Sequence, residues 1–151
     1  MIMRVVVDGD SCPVKAEIAE TAGRYGVQVV MVSSYDHTLQ PADGVAVIQV
    51  DRSSQSADLY IANHVVKGDI VVTQDYGLAA LVLAKSCSSL SPRGEIFHPG
   101  NIDRLLERRH AHAKARRGGQ RHKGPKPFTN EDRKHFAEVL SKLLEHMQEN
   151  V

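Results

Sequence analysis

Val5-Val6-Val7-Asp8-Gly9-Asp10-Ser11-Cys12-Pro13 is the stretch whose reading decides the fold. Three consecutive β-branched apolar residues suit a strand covered on both faces, which has no solvated side to alternate with. Gly9 permits a tight turn or a close backbone approach. Pro13 fits the first position of a helix, with Ser11 or Cys12 before it as the cap. Asp8 and Asp10 therefore stand just outside the carboxyl end of a strand, where open α/β sheets place their ligands. Two carboxylates so close repel unless a cation or a proton intervenes. The stretch has two readings: a divalent-metal site, or an Asp-Gly turn followed by a helix cap.

Working outward, residues 14–25 follow as a helix, with Ile18, Ala19, Ala22 and Tyr25 at helical spacing and Gly26 as its stop. Strands are expected at 27–32, 45–50, 70–73 and, briefly, 95–98. Helices are expected at 57–66, capped from within 53–56, at 77–84, and from Ile102 onward with Asn101 as cap. Residues 33–44 form a polar loop, and Gly124-Pro125-Lys126-Pro127 breaks the chain before a last helix. Thr129 and Asp132 hold capping-box positions, although Glu or Gln is preferred at the second. Phe136, Leu140, Leu143, Leu144 and Met147 give that helix one apolar stripe, most simply a face packed on the body. Strands alternating with helices imply parallel pairing with right-handed crossovers, hence a three-layer α/β sandwich with a mostly parallel sheet.

A chain of 151 residues suits one domain with a sizeable core. Within it we expect an α/β body at 1–103, a basic helix and loop at 104–128, and a C-terminal helix at 129–151. Two cysteines make no disulfide framework, which favours a reducing compartment. Acids arrive at Asp8 and Asp10 before any signal-like apolar run, and the longest apolar stretch, 78–84, is too short to span a bilayer. The expectation is a cytoplasmic protein with no membrane partner. The net charge of +1 hides an asymmetry. Residues 1–103 carry 7 Lys/Arg and 12 Asp/Glu, whereas residues 104–126 carry 9 and 1. An acidic body with a basic arm suggests an anionic partner, nucleic acid first.

Three places repeat one device, an acid where a strand ends or a helix begins. Asp8 and Asp10 follow the first strand, Asp58 lies in the first turn of a helix, and Asp75 follows the fourth strand. Singly, Asp58 suits a helix dipole and Asp75 a helix cap. In a doubly wound sheet the first and fourth strands neighbour each other at the switch point, which would gather these acids at one edge. Mg²⁺ or Mn²⁺ suits such hard oxygen ligands and supports phosphoryl chemistry. Asp69 precedes its strand and should lie at the opposite edge.

The same motifs, with Ser56-Ala57-Asp58, Thr73-Gln74-Asp75-Tyr76-Gly77-Leu78-Ala79 and the tail Lys123-Gly124-Pro125-Lys126-Pro127-Phe128-Thr129-Asn130-Glu131-Asp132-Arg133, resemble the YaiI/YqxD family of bacterial proteins nearly end to end. That family is similar to PIN-like and NYN-type domains, many of which are metal-dependent ribonucleases. The resemblance implies a PIN-like fold with Asp8, Asp58 and Asp75 as metal-binding catalytic acids and Asp10 as a further ligand. PIN domains often add an acid shortly after the fourth-strand Asp, and Tyr76, Gly77 and Leu78 supply none.

Arg104, Arg108, His112 and Arg116 recur every four residues, so one helical face is basic, and Arg117, Arg121, Lys123 and Lys126 continue the charge. Such a face suits the phosphate backbone without sequence preference, or is simply solvated. Cys12 beside two acids is a poor nucleophile. Cys87 lies in a Ser-rich turn without a local partner. The expectation is a Mg²⁺- or Mn²⁺-dependent phosphodiesterase acting on RNA, with Asp8, Asp10, Asp58 and Asp75 as the acids and Ser11 and Thr73 placed to fix carboxylates or water. Two alternatives stand beside it. One is a non-catalytic RNA-binding or assembly factor on the same fold. The other is a haloacid-dehalogenase-type phosphatase using Asp8-Gly9-Asp10, against which Pro13 starts a helix without room for a flap.

Overall fold

Valine-rich runs pair because their β-branched side chains fill both faces of a pleated surface. The computed structural model describes residues 3–34, 44–51, 56–117 and 127–149. Among them one sheet has the order β3-β2-β1-β4-β5-β6. Its strands are β1 (Arg4–Asp8), β2 (Gln28–Ser34), β3 (Val45–Val50), β4 (Ile70–Val72), β5 (Ser88–Leu90) and β6 (Ile96–Phe97). All pairs are parallel except β5–β6. The helices are α1 (Lys15–Arg24), α2 (Ala57–His64), α3 (Tyr76–Ala84), α4 (Pro99–Arg117) and α5 (Asn130–Glu149).

The period of two along each strand sorts the core into layers. Val5, Val7, Val29, Met31, Ile70 and Val72 pack with Ile18 and Ala22 of α1 and Phe136, Leu140 and Leu144 of α5. Val6, Val30, Val32 and Val71 pack with Ile61 of α2 and Leu78 and Val82 of α3. A smaller core joins Ala79 of α3 and Phe97 of β6 to Ile102 and Leu105 of α4. The expected three-layer α/β sandwich is therefore the architecture, and α5 is fastened to it by the expected stripe.

Several boundaries differ from expectation. Pro13 does not open α1: Gly9–Ser11 form a 3-10 turn, and α1 starts two residues beyond Pro13, with Val14 as its N-cap. Asn101 lies inside α4 rather than at its cap; its Oδ1 accepts from the His98 N–H and its Nδ2 donates to the Ile96 carbonyl. The Ser-rich turn assigned to Cys87 is the entry to β5, and the buried Cys87 donates its Sγ–H to the Val66 carbonyl. The expected capping box is present: Asp132 N–H donates to Thr129 Oγ1 at 3.1 Å and Thr129 N–H to Asp132 Oδ2 at 2.9 Å. At the amino edge of the sheet, Arg4 donates from two nitrogens to the carboxylate of buried Asp69, which also accepts from the Val66 N–H. Asp69 thus lies opposite the other acids, as its place before β4 implied. Among the described residues no helix is long and apolar enough to cross a membrane.

Candidate acidic site at the carboxyl edge of the sheet

β1 and β4 are neighbours, with Val7 paired to Val72, so the residues that follow them emerge side by side. This is the switch point of the sheet, where β1 turns toward β2 on one side and β4 on the other. Asp8 continues the alternation of β1 onto the face of Val6, the face covered by α2 and α3. Those are the helices that bring Asp58, in the first turn of α2, and Asp75, the N-cap of α3.

Asp8 is the centre of the group. Thr73 Oγ1 donates to Asp8 Oδ2 at 3.2 Å, and the same hydroxyl oxygen accepts from the Asp75 N–H at 3.0 Å. One hydroxyl therefore links the β1 acid to the loop after β4. Burial pushes the Asp8 carboxyl up to about 6; the Thr73 bond opposes this, and the charges of Asp10, Asp58 and Asp75 add to it. Asp10, Asp58 and Asp75 thus each lie near enough to Asp8 for their charges to act on it.

The other acids are held by local geometry. Asp75 Oδ1 accepts from the Leu78 N–H at 3.1 Å, an N-cap bond. A Cβ on Gly77 would stand 3.2 Å from that oxygen, so a glycine there leaves the cap room. Asp10 is drawn toward the end of β2, where its Oδ1 accepts from the Ser34 backbone N–H at 2.8 Å and from Ser34 Oγ at 3.3 Å. Ser34 was not expected in the site; its only signal is a Ser-Ser pair closing an apolar strand. The side chain of Ser11 lies outside the described residues.

Among the described residues no three His, Cys, Asp or Glu side chains form a group that could hold a metal ion. The acids are thus not a closed protein cage. Mg²⁺ seldom needs one, because it keeps several waters and takes one or two carboxylates. The donor set, all hard carboxylate oxygens, has the chemistry of a hydrated hard ion rather than of a soft one. Cys12, whose thiol burial pushes up to about 11, is not a thiolate at neutral pH.

Beside the acids lies a cavity of about 300 Å³. Gln74 and Tyr76, which flank Asp75, form part of its wall, and Arg93, Glu95 and Phe128 form another. Sequence reading did not find it, because its walls come from four separate segments, around Pro13, Gln74, Arg93 and Phe128. Arg104 and Arg108 are exposed on α4. The side chains of Arg116 and Arg117, and the whole of Arg121, Lys123 and Lys126, lie outside the described residues.

The family model described as "Uncharacterized BCR, YaiI/YqxD family" matches residues 6–146. A UPF0178 protein of Halalkalibacterium halodurans is 46% identical over 143 residues, which cover 95% of this chain and 91% of that protein. One of Shouchella clausii is 44% identical, over 93% of this chain and 92% of its own length. One of Bacillus velezensis is 45% identical, over 93% and 84%. No solved structure matches the chain significantly. Likeness that spans all six strands and the tail motif alike means that the chain belongs to the YaiI/YqxD family.

Proposed function

We propose that this protein is a Mg²⁺- or Mn²⁺-dependent phosphodiesterase of PIN-like type that acts on RNA in the cytoplasm. The observation that carries the reading is the gathering of Asp10, Asp58 and Asp75 around Asp8 at the switch point of the sheet. Caps and turns do not require three other acids to act on Asp8; a cation relieves that repulsion and offsets the cost of burying the Asp8 charge. When bound, the ion supplies charge for the phosphoryl oxygens and lowers the pKa of water. Asp8 and Asp75 would hold it, with Asp10 and Asp58 as further acids around it. Thr73 orients Asp8 and keeps the β4 loop beside it. Arg104 and Arg108, with the basic residues beyond them, bind the phosphate backbone. Two free cysteines, both with thiols pushed up by burial, suit a reducing compartment.

A second reading, a non-catalytic RNA binder, draws on the lack of a three-residue metal group among the described residues. Incubation of single-stranded RNA with Mg²⁺ or Mn²⁺ separates the two. The hydrolase reading expects cleavage that chelation abolishes and that Asp8→Asn lowers by about 10²-fold or more, the scale of a lost acid–base group. Salt-sensitive binding with no cleavage selects the binder. Turnover of a phosphate monoester in place of RNA selects a phosphatase.

A further inference from the structure

The cavity next to Asp75 is built as a ligand site. Its aromatic elements are both pinned. The Phe128 ring lies under two guanidinium groups, Arg93 at 5.4 Å and Arg133 at 5.1 Å from its centroid. Tyr76 meets Phe97 edge-on at 5.5 Å. Its turn is pinned as well: the Arg93 and Glu95 N–H groups both donate to Ser91 Oγ, and Arg93 is paired with Asp132 at 3.0 Å. Arg133 also donates to the Pro13 carbonyl and to Glu17, tying the tail motif to the turn after Asp10. The specific tail residues Phe128, Asp132 and Arg133 therefore hold this wall together.

We propose that the cavity receives one nucleotide of single-stranded RNA, with its base against Tyr76 and Phe128. This rests on the RNA reading above and names where the substrate is held. A volume of about 300 Å³ suits one nucleotide and lies at the small end of ligand pockets. Aromatic faces accept any base by stacking. Gln74 and Glu95 supply an amide and a carboxylate, acceptors and donors for base edges or ribose hydroxyls. Arg93 adds a cation at the same wall, suited to a phosphate. Since Gln74 and Tyr76 flank Asp75, a nucleotide seated here has its backbone beside the acidic centre.

The test is titration of the full chain with AMP, GMP, CMP and UMP in the presence of EDTA, followed by amide chemical shifts, with ribose 5-phosphate as the control. The expected result is shifts at residues 74, 76, 91, 95 and 128 that ribose 5-phosphate does not reproduce. Phe128→Leu and the exposed-turn variant Glu95→Gln should each weaken binding by about tenfold, the scale of one lost stack or polar contact. No shifts at millimolar nucleotide, equal shifts with ribose 5-phosphate, or indifference to both variants overturns the proposal. Metal-free binding without RNA cleavage would leave this site standing and remove the hydrolase. Cleavage without nucleotide binding, undiminished in Phe128→Leu, would do the reverse.

Discussion

Asp8 carries opposing demands. Its carboxyl titrates near 6 in the fold against an ordinary 3.8, so the folded protein holds the proton more tightly than the unfolded chain. The resulting stabilisation is complete below the unfolded value and is lost as pH rises through about 6. The range is at most about 3 kcal/mol, since each pKa unit is about 1.4 kcal/mol. Asp8→Asn keeps an acceptor for the Thr73 hydroxyl and removes the charge. In EDTA at pH 7.5 or so it should be more stable than wild type by about 1–3 kcal/mol, and urea denaturation should show a flatter pH dependence between the two pKa values. A variant no more stable than wild type would mean that neither burial nor the neighbouring charges burden the ionised Asp8. On the proposed reading such a gain would be the usual trade of stability against activity. Asp75 differs, because its Oδ1 caps α3. Asp75→Asn keeps a good cap and should stay within about 0.5 kcal/mol of wild type, whereas Asp75→Ala should lose about 1 kcal/mol. Equal denaturation midpoints for the two variants would show that the cap bond contributes nothing.

At the scale of elements, the legible parts were those whose physics is local. β1 to β4 announced themselves as β-branched runs, α5 as a capped helix with one apolar stripe, and the neighbouring of β1 and β4, which sets the ends leading to Asp8 and Asp75 side by side, followed from the doubly wound pattern. β5 escaped because Ser88-Ser89-Leu90 has no apolar run; it is tolerated inside the sheet because Ser89 donates its hydroxyl to the Val71 carbonyl at 3.1 Å. Pro13 misled because the chain spends Gly9–Ser11 on a 3-10 turn that carries Asp10 to Ser34, a contact 24 residues away in sequence. The cavity was illegible for the same reason, since Gln74, Arg93 and Phe128 meet only through tertiary packing. Gly94 shows how tightly that wall is built. Its φ is +87°, and a Cβ there would lie 2.7 Å from His135 Cδ2 and 3.4 Å from the Phe136 Cα. His135 can swing away, but the left-handed backbone remains costly for any L side chain. Gly94→Ala should therefore destabilise the fold by about 1–2 kcal/mol, read as a lower urea midpoint with an unchanged slope. A neutral result would mean that the β5–β6 turn relaxes without disturbing α5.

The whole molecule separates its charges, with an acidic body at 1–103 and a basic run at 104–126. On the proposed reading the acid cluster would repel the phosphates of its substrate, and the basic arm would bring RNA to that edge. The arm starts in a fixed direction, because Ile102 and Leu105 anchor α4 against Phe97 and Ala79. β6, which leads into α4, closes the hairpin that carries Arg93 and Glu95, so arm and cavity are joined by one short path of chain. Arg104 and Arg108 are exposed one turn apart on α4, clear of its buried side. If each meets one backbone phosphate of single-stranded RNA, replacing both with Gln should flatten the dependence of log affinity on log salt by about 1.4, roughly 0.7 for each contact. Binding at low salt should weaken for every sequence alike, because phosphate contacts carry no base information. Thermal stability should stay close to wild type, since neither side chain is buried. Filter binding of a homopolymer series across salt concentrations measures the slope directly. An unchanged slope would take these two arginines out of the RNA path and move the electrostatic contact elsewhere along 109–126. A drop in affinity confined to one homopolymer would instead mean that the arm reads bases, leaving the cavity beside Asp75 no special claim to them.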